Sequence, residues 1–280
     1  MKIALVSDTT AALDAATIEK YQIHTVPLMI NVGGKSYREQ QDLTNKDFYR
    51  LMKEAAEIPT SSQPAPGVWL ELYKELAQDY DAILVLTLSS EISGTYQTAV
   101  AMAAELPEVK IEVVDSCYSS TPQAYLVEEA GRMIAAGAEL PAVLAKIDRM
   151  IEAMDAYIVA DDLHHLAKGG RTSGASALVG SMLKIKPVIR FTNKTLNIFD
   201  KIRTQKKALK RIELILADVY AKTPKLHVSV LHADAPEKAQ EVYEEMVAKY
   251  PEANWDVREF SPVLGTHLGP GAIALVWTIQ

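Results

Sequence analysis

The feature that most constrains this chain is a repeated order: a short apolar run, a cluster of hydroxyl or acidic residues, then a helical segment. Lys2 to Val6 runs into Ser7-Asp8-Thr9-Thr10, Asp81 to Leu86 into Thr87-Leu88-Ser89-Ser90, and Lys110 to Val114 into Asp115-Ser116-Cys117. Short apolar runs of this kind read as buried strands. Helical patterns lie between them, at Asp14 to Tyr21, Thr44 to about Ala56, Val68 to Tyr80, Thr98 to Glu105, Gln123 to Ala136 and Pro141 to Met154. Ile23 to Val32 reads as a second strand region, with Gly33-Gly34 as a hairpin turn to Lys35-Ser36-Tyr37. The alternation predicts an α/β domain over residues 1–155, a mostly parallel sheet with helices on both faces.

Beyond that point the pattern changes. Strand patterns at Ala156 to Ala160, Ile185 to Phe191, Thr195 to Lys201, Leu226 to His232, Trp255 to Phe260 and Ala272 to Thr278 mix with helices at Ala175 to Leu183, Thr204 to Ala221 and Pro236 to Tyr250. Thr192-Asn193-Lys194 reads as a hairpin turn. A second, α+β domain with a mixed or antiparallel sheet is expected over 156–280. With 49% apolar residues, a full core is available to both.

The strand–loop–helix run Leu84 to Gln97 is the strongest candidate for a ligand seat. Open α/β sheets bind ligands beyond the carboxyl ends of strands, where helix N-termini present free N–H groups. Ser93 would offer a hydroxyl, Gly94 a close backbone approach, and Thr95 a further hydroxyl. The plain alternative is a helix cap. Ile58 to Gly67 frames the hydroxyl residues Thr60, Ser61 and Ser62 with three prolines. It reads equally as a rigid hydroxyl rim or as an ordinary linker. Lys168-Gly169-Gly170-Arg171 reads either as an anion-binding loop or as a helix C-cap, and lacks Walker spacing. His267, beside Gly269-Pro270-Gly271, reads as a histidine in a stiff turn, either a hydrogen-bonding group at a domain cleft or a surface residue. His164 and His165 are adjacent and make a poor metal pair. Asp8 reads as a turn cap, and Cys117 as inert packing. No metal-ligand spacing is visible.

A net charge of −7 gives no global attraction for nucleic acid, although Lys184 to Arg211 holds ten basic residues and one acid, Asp200. That run reads as a surface for an acidic partner or as a solvated face. One cysteine excludes an internal disulfide. The short first strand does not resemble a signal peptide, and no apolar run reaches membrane-spanning length. The expected setting is the cytoplasm, with transient membrane contact at most.

Together, Ser7-Asp8-Thr9, Thr60-Ser61-Ser62-Gln63-Pro64, Ser89 to Tyr96, Asp115-Ser116, Leu163 to Arg171 and His267 to Gly271 carry a resemblance over nearly the whole chain. The chain resembles the DegV family, whose members serve as the fatty-acid-binding subunit of bacterial fatty acid kinase. The resemblance implies two α/β domains with a long-chain fatty acid buried between them, the second domain closing over the ligand. It implies a carboxylate held by Ser61 and Ser93, with the Gly94 backbone adding to the seat. Thr60, Ser62, Thr95 and His267 are further pocket candidates, and Arg171 and His267 match positions linked to presentation and kinase docking. It implies no cofactor, no metal, no catalysis by this chain alone, and a partner kinase that forms an acyl-phosphate feeding phospholipid metabolism. Two departures stand out: serine at 61, where the family commonly has threonine, and Thr121-Pro122-Gln123-Ala124, where relatives often carry Met-Gly-x-Gly. The second is expected to reshape the pocket. The rival reading is a stand-alone phosphotransferase or hydrolase using Ser93 and His267. The absence of a P-loop or a Gly-x-Ser-x-Gly elbow weighs against it.

Overall fold

The computed structural model describes residues 1–179 and 185–279. The first half supplies β1 (Ile3–Asp8), α1 (Ala15–Tyr21), β2 (Ile23–Val26), β3 (Met29–Val32), β4 (Lys35–Arg38), α2 (Asn45–Glu54), β5 (Thr60–Ser62), α3 (Pro66–Leu76), β6 (Ala82–Thr87), α4 (Thr95–Ala104), β7 (Ile111–Asp115), α5 (Thr121–Ala135) and α6 (Leu140–Ala153). The second supplies β8 (Asp155–Val159), α7 (Leu163–Gly169), β9 (Thr172–Ser173), α8 (Ala175–Val179), β10 (Lys186–Thr192), β11 (Thr195–Ile202), α9 (Gln205–Tyr220), β12 (Leu226–His232), α10 (Pro236–Lys249), β13 (Asn254–Glu259), α11 (Pro262–Leu268) and β14 (Ile273–Ile279).

Strands β2-β1-β6-β7 form a four-stranded sheet that is parallel throughout. Every residue of β1 and β6 is buried, which is why their sequences are continuous apolar runs rather than alternating ones. A seven-stranded mixed sheet follows the order β13-β12-β14-β8-β10-β11-β9. The two domains thus carry the two sheet types expected of them.

The predicted strand region Ile23 to Val32 divides at Pro27. β2 pairs in parallel with β1, while β3 joins a small antiparallel sheet, β4-β3-β5. Proline has no N–H to continue a ladder, so the chain changes sheets there. The division is what brings the Thr60–Ser62 hydroxyls into a strand, against the expectation of a plain loop.

Three further boundaries differ from expectation. Helix α4 begins at Thr95 rather than Thr98. Thr121 to Ala124 is the first turn of α5, not a loop, with Pro122 where a missing N–H costs nothing. His267 lies in the last turn of α11, not in a turn of its own. Ser261 sits at the N-cap, Pro262 opens the helix, and Gly269 at φ +70 closes it. Of the expected helix Ala175 to Leu183, the part beyond Val179 falls outside the described residues.

Among the described residues, five of the ten basic residues of the run pair with acids. Arg190 is bidentate to Asp155 at 2.8 and 2.9 Å, Lys186 meets Asp161 at 2.6 Å, and Lys194 meets Asp115 at 2.9 Å. Lys210 and Arg211 pair with Glu213 and Asp200. That pattern fits a solvated, paired surface better than a nucleic-acid face.

One continuous apolar cluster joins both domains, from Leu5, Leu86 and Leu126 to Ile158, Ile189 and Ala274. The candidate site opens from this shared core.

Candidate functional site

Beyond the carboxyl end of β6 lies a cavity with about 590 Å³ of atom-free space, counted with its open mouth. Its walls are mostly apolar, with Leu88, Ile158, Phe191, Leu196, Val263 and Leu268 among them. Polar groups from three distant segments converge on it: Ser61 and Ser62 of β5, Ser93 before α4, and His267 of α11. Arg171, after α7, also lines it.

Ser61 Oγ and His267 Nε2 lie 2.8 Å apart. His267 Nδ1 is buried without a hydrogen-bond partner among the described residues. A neutral imidazole carries one N–H, and placing it on Nδ1 would bury an unpaired donor. The proton therefore belongs on Nε2, which donates to Ser61 Oγ. Ser61 then accepts from the ring and keeps its own O–H free to donate into the cavity. Burial first, then the charges of Arg171 and His165, hold the imidazolium of His267 well down, to about 4, so the ring is neutral near pH 7.

Ser93 combines both roles weighed for it. Its Oγ lies 2.9 Å from Thr95 Oγ1 and accepts from Thr95 N–H at 3.3 Å, while the residue also lines the cavity. Gly94 occupies the N-cap position without a side-chain cap, and its Cα faces the Gln63 side chain. It borders an adjoining polar groove with Arg171 and Asn197 rather than the enclosed cavity. Thr95 is buried behind Ser93, and Thr60 is exposed outside the cavity. Arg171 lines the cavity as well as the adjoining groove. Its guanidinium donates to Ile92 O at 3.3 Å and Gly169 O at 2.8 Å at the mouth, and Gly170 takes the left-handed cap at φ +65. Thr121 to Ala124 do not line the cavity, and Ser119 does. The departure from Met-Gly-x-Gly therefore acts inside α5. Gln123 Nε2 donates there to Ser7 Oγ at 3.2 Å and Asp8 Oδ2 at 3.1 Å.

Two buried acids brace these loops. Asp8 accepts from Thr10 N–H at 3.0 Å, the expected turn cap, and from Leu88 N–H at 2.7 Å, which ties the loop after β6 to the end of β1. Glu39, absent from the sequence expectations, is fully buried. It accepts from Thr9 Oγ1 at 2.5 Å and from Val263 N–H in the first turn of α11 at 2.7 Å. Burial pushes its carboxyl up to about 7, against the hydrogen bonds that favour the anion. No local signal marks Glu39, because it stands in the polar run Arg38 to Asp42.

The β10–β11 turn and α7 also make contacts at this end of the molecule. Ser89 Oγ donates to Lys194 O at 2.6 Å in the β10–β11 turn. His165 links α7 to α11 through Thr266 O at 3.1 Å. Cys117 is half-buried, and burial and Asp115 push its thiol up, which suits packing rather than nucleophilic work. No group of three or more His, Cys, Asp or Glu is placed to hold a metal among the described residues. Likewise, no described helix is long and apolar enough to cross a membrane.

The profile of the family described as "Uncharacterised protein, DegV family" matches residues 2–280. The chain belongs to the DegV family. A DegV domain-containing protein of Listeria monocytogenes is 43% identical over 281 residues, spanning 100% of this chain and 99% of its own. The protein DegV of Bacillus subtilis is 39% identical over 281 residues, with 100% of both chains covered. Its crystal structure, that of a fatty acid binding protein, matches with a TM-score of 0.91 over 100% of both chains. The fatty acid binding DegV family protein of Streptococcus agalactiae is 33% identical, with a TM-score of 0.92 over 100% of this chain and 99% of that one. The two-domain architecture described above is the DegV architecture.

Proposed function

We propose that this chain binds a long-chain fatty acid, with its carboxylate at Ser61 and Ser93 and its chain in the apolar cavity. We propose further that it presents the carboxylate to a separate ATP-dependent kinase, which forms the acyl-phosphate. The observation that carries the reading is the Ser61–His267 pair in the wall of a mostly apolar cavity. A neutral ring that donates to Ser61 turns that hydroxyl's own proton toward an incoming anion. Ser93 supplies a second hydroxyl beside the α4 N-terminus, with Gly94 at the cap. Charge-assisted bonds of this kind are the strong ones. Each CH₂ taken from water into the cavity adds about 0.8 kcal/mol, so the chain supplies affinity and the hydroxyls orientation. The fatty acid binding relatives of Bacillus subtilis and Streptococcus agalactiae support the same ligand class. On this reading residues 1–155 carry the carboxylate loops and residues 156–280 close over the ligand.

The enzyme reading needs a nucleophile beside its base. Ser93 instead pairs with Thr95, and His267 pairs with Ser61. An imidazole whose conjugate acid is held to about 4, with nothing orienting Nδ1, is a poor general base at neutral pH.

The direct test is native mass spectrometry of the purified protein, then lipid extraction. A bound mass of a few hundred daltons that resolves to fatty acid is expected. A protein that is empty and takes up no added fatty acid would overturn the reading. Ser93→Ala is expected to weaken fatty acid retention by roughly tenfold, the loss of one hydrogen bond to a charged group. Unchanged affinity in that variant would remove Ser93 from the seat. Arg171→Ala should change fatty acid affinity little, because its exposed guanidinium is screened by solvent. Turnover with a partner kinase should fall clearly, and normal turnover would reduce the loop to a helix cap.

A further inference from the structure

Among the polar residues of the cavity that the head-group seat does not use, Ser119 stands out. It is 2% exposed, and its Oγ is buried without a hydrogen-bond partner among the described residues. The segment that carries it is fixed. Ser89 N–H donates to Tyr118 O at 2.6 Å, and Tyr118 O–H donates to Met154 O at 2.7 Å. The Tyr118 ring packs on Phe191 at 5.3 Å between centroids, on the side of the cavity walled by the second domain. A buried hydroxyl with no partner is unfavourable, because it has lost water and gained nothing. An unsubstituted alkyl chain cannot satisfy it.

We propose that Ser119 recognises an oxygen substituent on the acyl chain, so that the preferred ligands include hydroxylated long-chain fatty acids. The inference rests on the fatty acid reading and deepens it. The carboxylate stays at Ser61 and Ser93, and a hydroxyl along the chain reaches Ser119 Oγ, each group able to donate to the other. A site built to hydrogen-bond a substrate hydroxyl discriminates against the analogue that lacks it, because its own buried polar group is then left unpaired. Position along the chain sets which isomer fits, since the carboxylate and the substituent are both held.

The test is a binding series on the full chain, stripped of lipid. Stearic acid is compared with C18 acids bearing one hydroxyl at successive positions, for the parent protein and for Ser119→Ala. That substitution removes one oxygen and leaves the wall apolar. At least one isomer should bind the parent about tenfold better relative to stearic acid than it binds Ser119→Ala, the factor given by one ordinary hydrogen bond. Stearic acid itself should bind Ser119→Ala at least as well as the parent. Two results overturn the inference alone: stearic acid binds while every hydroxylated isomer is weaker, or the isomer preference is the same in Ser119→Ala. If no acid binds either protein, the fatty acid reading falls and this inference falls with it.

Discussion

Glu39→Gln is expected to shift in stability relative to the parent by about 3 kcal/mol, in favour of the variant, between pH 4.5 and about pH 7. Glu39 is an acid whose folded-state value, about 7, lies above its ordinary 4.5. Below 4.5 it is protonated in both states and its contribution is at its fullest. As pH rises, the unfolded chain loses this proton first, so the folded state is progressively disfavoured until Glu39 itself ionises. Glutamine has no proton to lose. Its amide oxygen can still accept from Val263 N–H, so the link to α11 survives. Urea titrations of both proteins from pH 4 to 8 measure the difference, in which all shared groups cancel. A difference that does not change with pH would mean that Glu39 ionises freely. His267 slopes the other way. Its value is depressed from 6.5 to about 4, so its contribution is present above 6.5 and is lost as pH falls toward 4. The two displacements are similar in size.

Gly169→Ala is expected to lower affinity for a long-chain acid by up to about tenfold, the range of one neutral hydrogen bond that no longer orients Ser61. A Cβ at this position would lie 2.6 Å from His267 Nδ1 and 3.3 Å from its Cβ and Cγ, so the ring must leave Ser61. Global stability should fall by about 1–3 kcal/mol from overpacking against the buried ring, only partly offset by the better helix propensity of alanine. Gly67→Ala, where nothing lies within 4 Å of the added methyl, is the control and should bind normally. In a Ser61→Ala background, Gly169→Ala should have almost no further effect, because the two changes break the same contact. Additive losses would mean that Gly169 acts through another route.

The strands β1 and β6 are legible in the sequence because burial on both faces leaves apolar runs that end in hydroxyl and acidic residues, while β7, at the sheet's edge, is legible from its short Val113-Val114 core and the Asp115-Ser116 that follows. The break at Pro27 is less legible, since either half could continue the same sheet until β5 is available to pair. The helix that carries His267 had a signal, Ser261-Pro262, the usual order of an N-cap and first helical residue. The glycines downstream outweighed it. Ser61, Ser93 and Arg171 are visible as separate polar clusters, but their convergence with His267 is a tertiary fact. Ser61 and His267 are 206 positions apart in sequence and touch only when α11 packs beside β5. Glu39 and Ser119 were not legible at all. A buried carboxylate in a polar run looks like a surface residue, and a buried serine beside Ser120-Thr121-Pro122 looks like a helix start.

The strand latest in sequence, β14, lies inside the seven-stranded sheet, between β12 and β8, and pairs with both along most of its length. The parallel four-stranded sheet needs nothing beyond residue 115 for its pairing. During synthesis the first sheet can therefore form while the second is still two separate pieces, one on each side of a missing strand. Until residue 279 has left the ribosome, β8 and β12 each expose an unpaired edge, and the wall of the cavity that includes Ile158 has no support from β14. Such edges are where chains pair wrongly with one another. The interval before β14 emerges is thus when the second sheet is most exposed to wrong pairing.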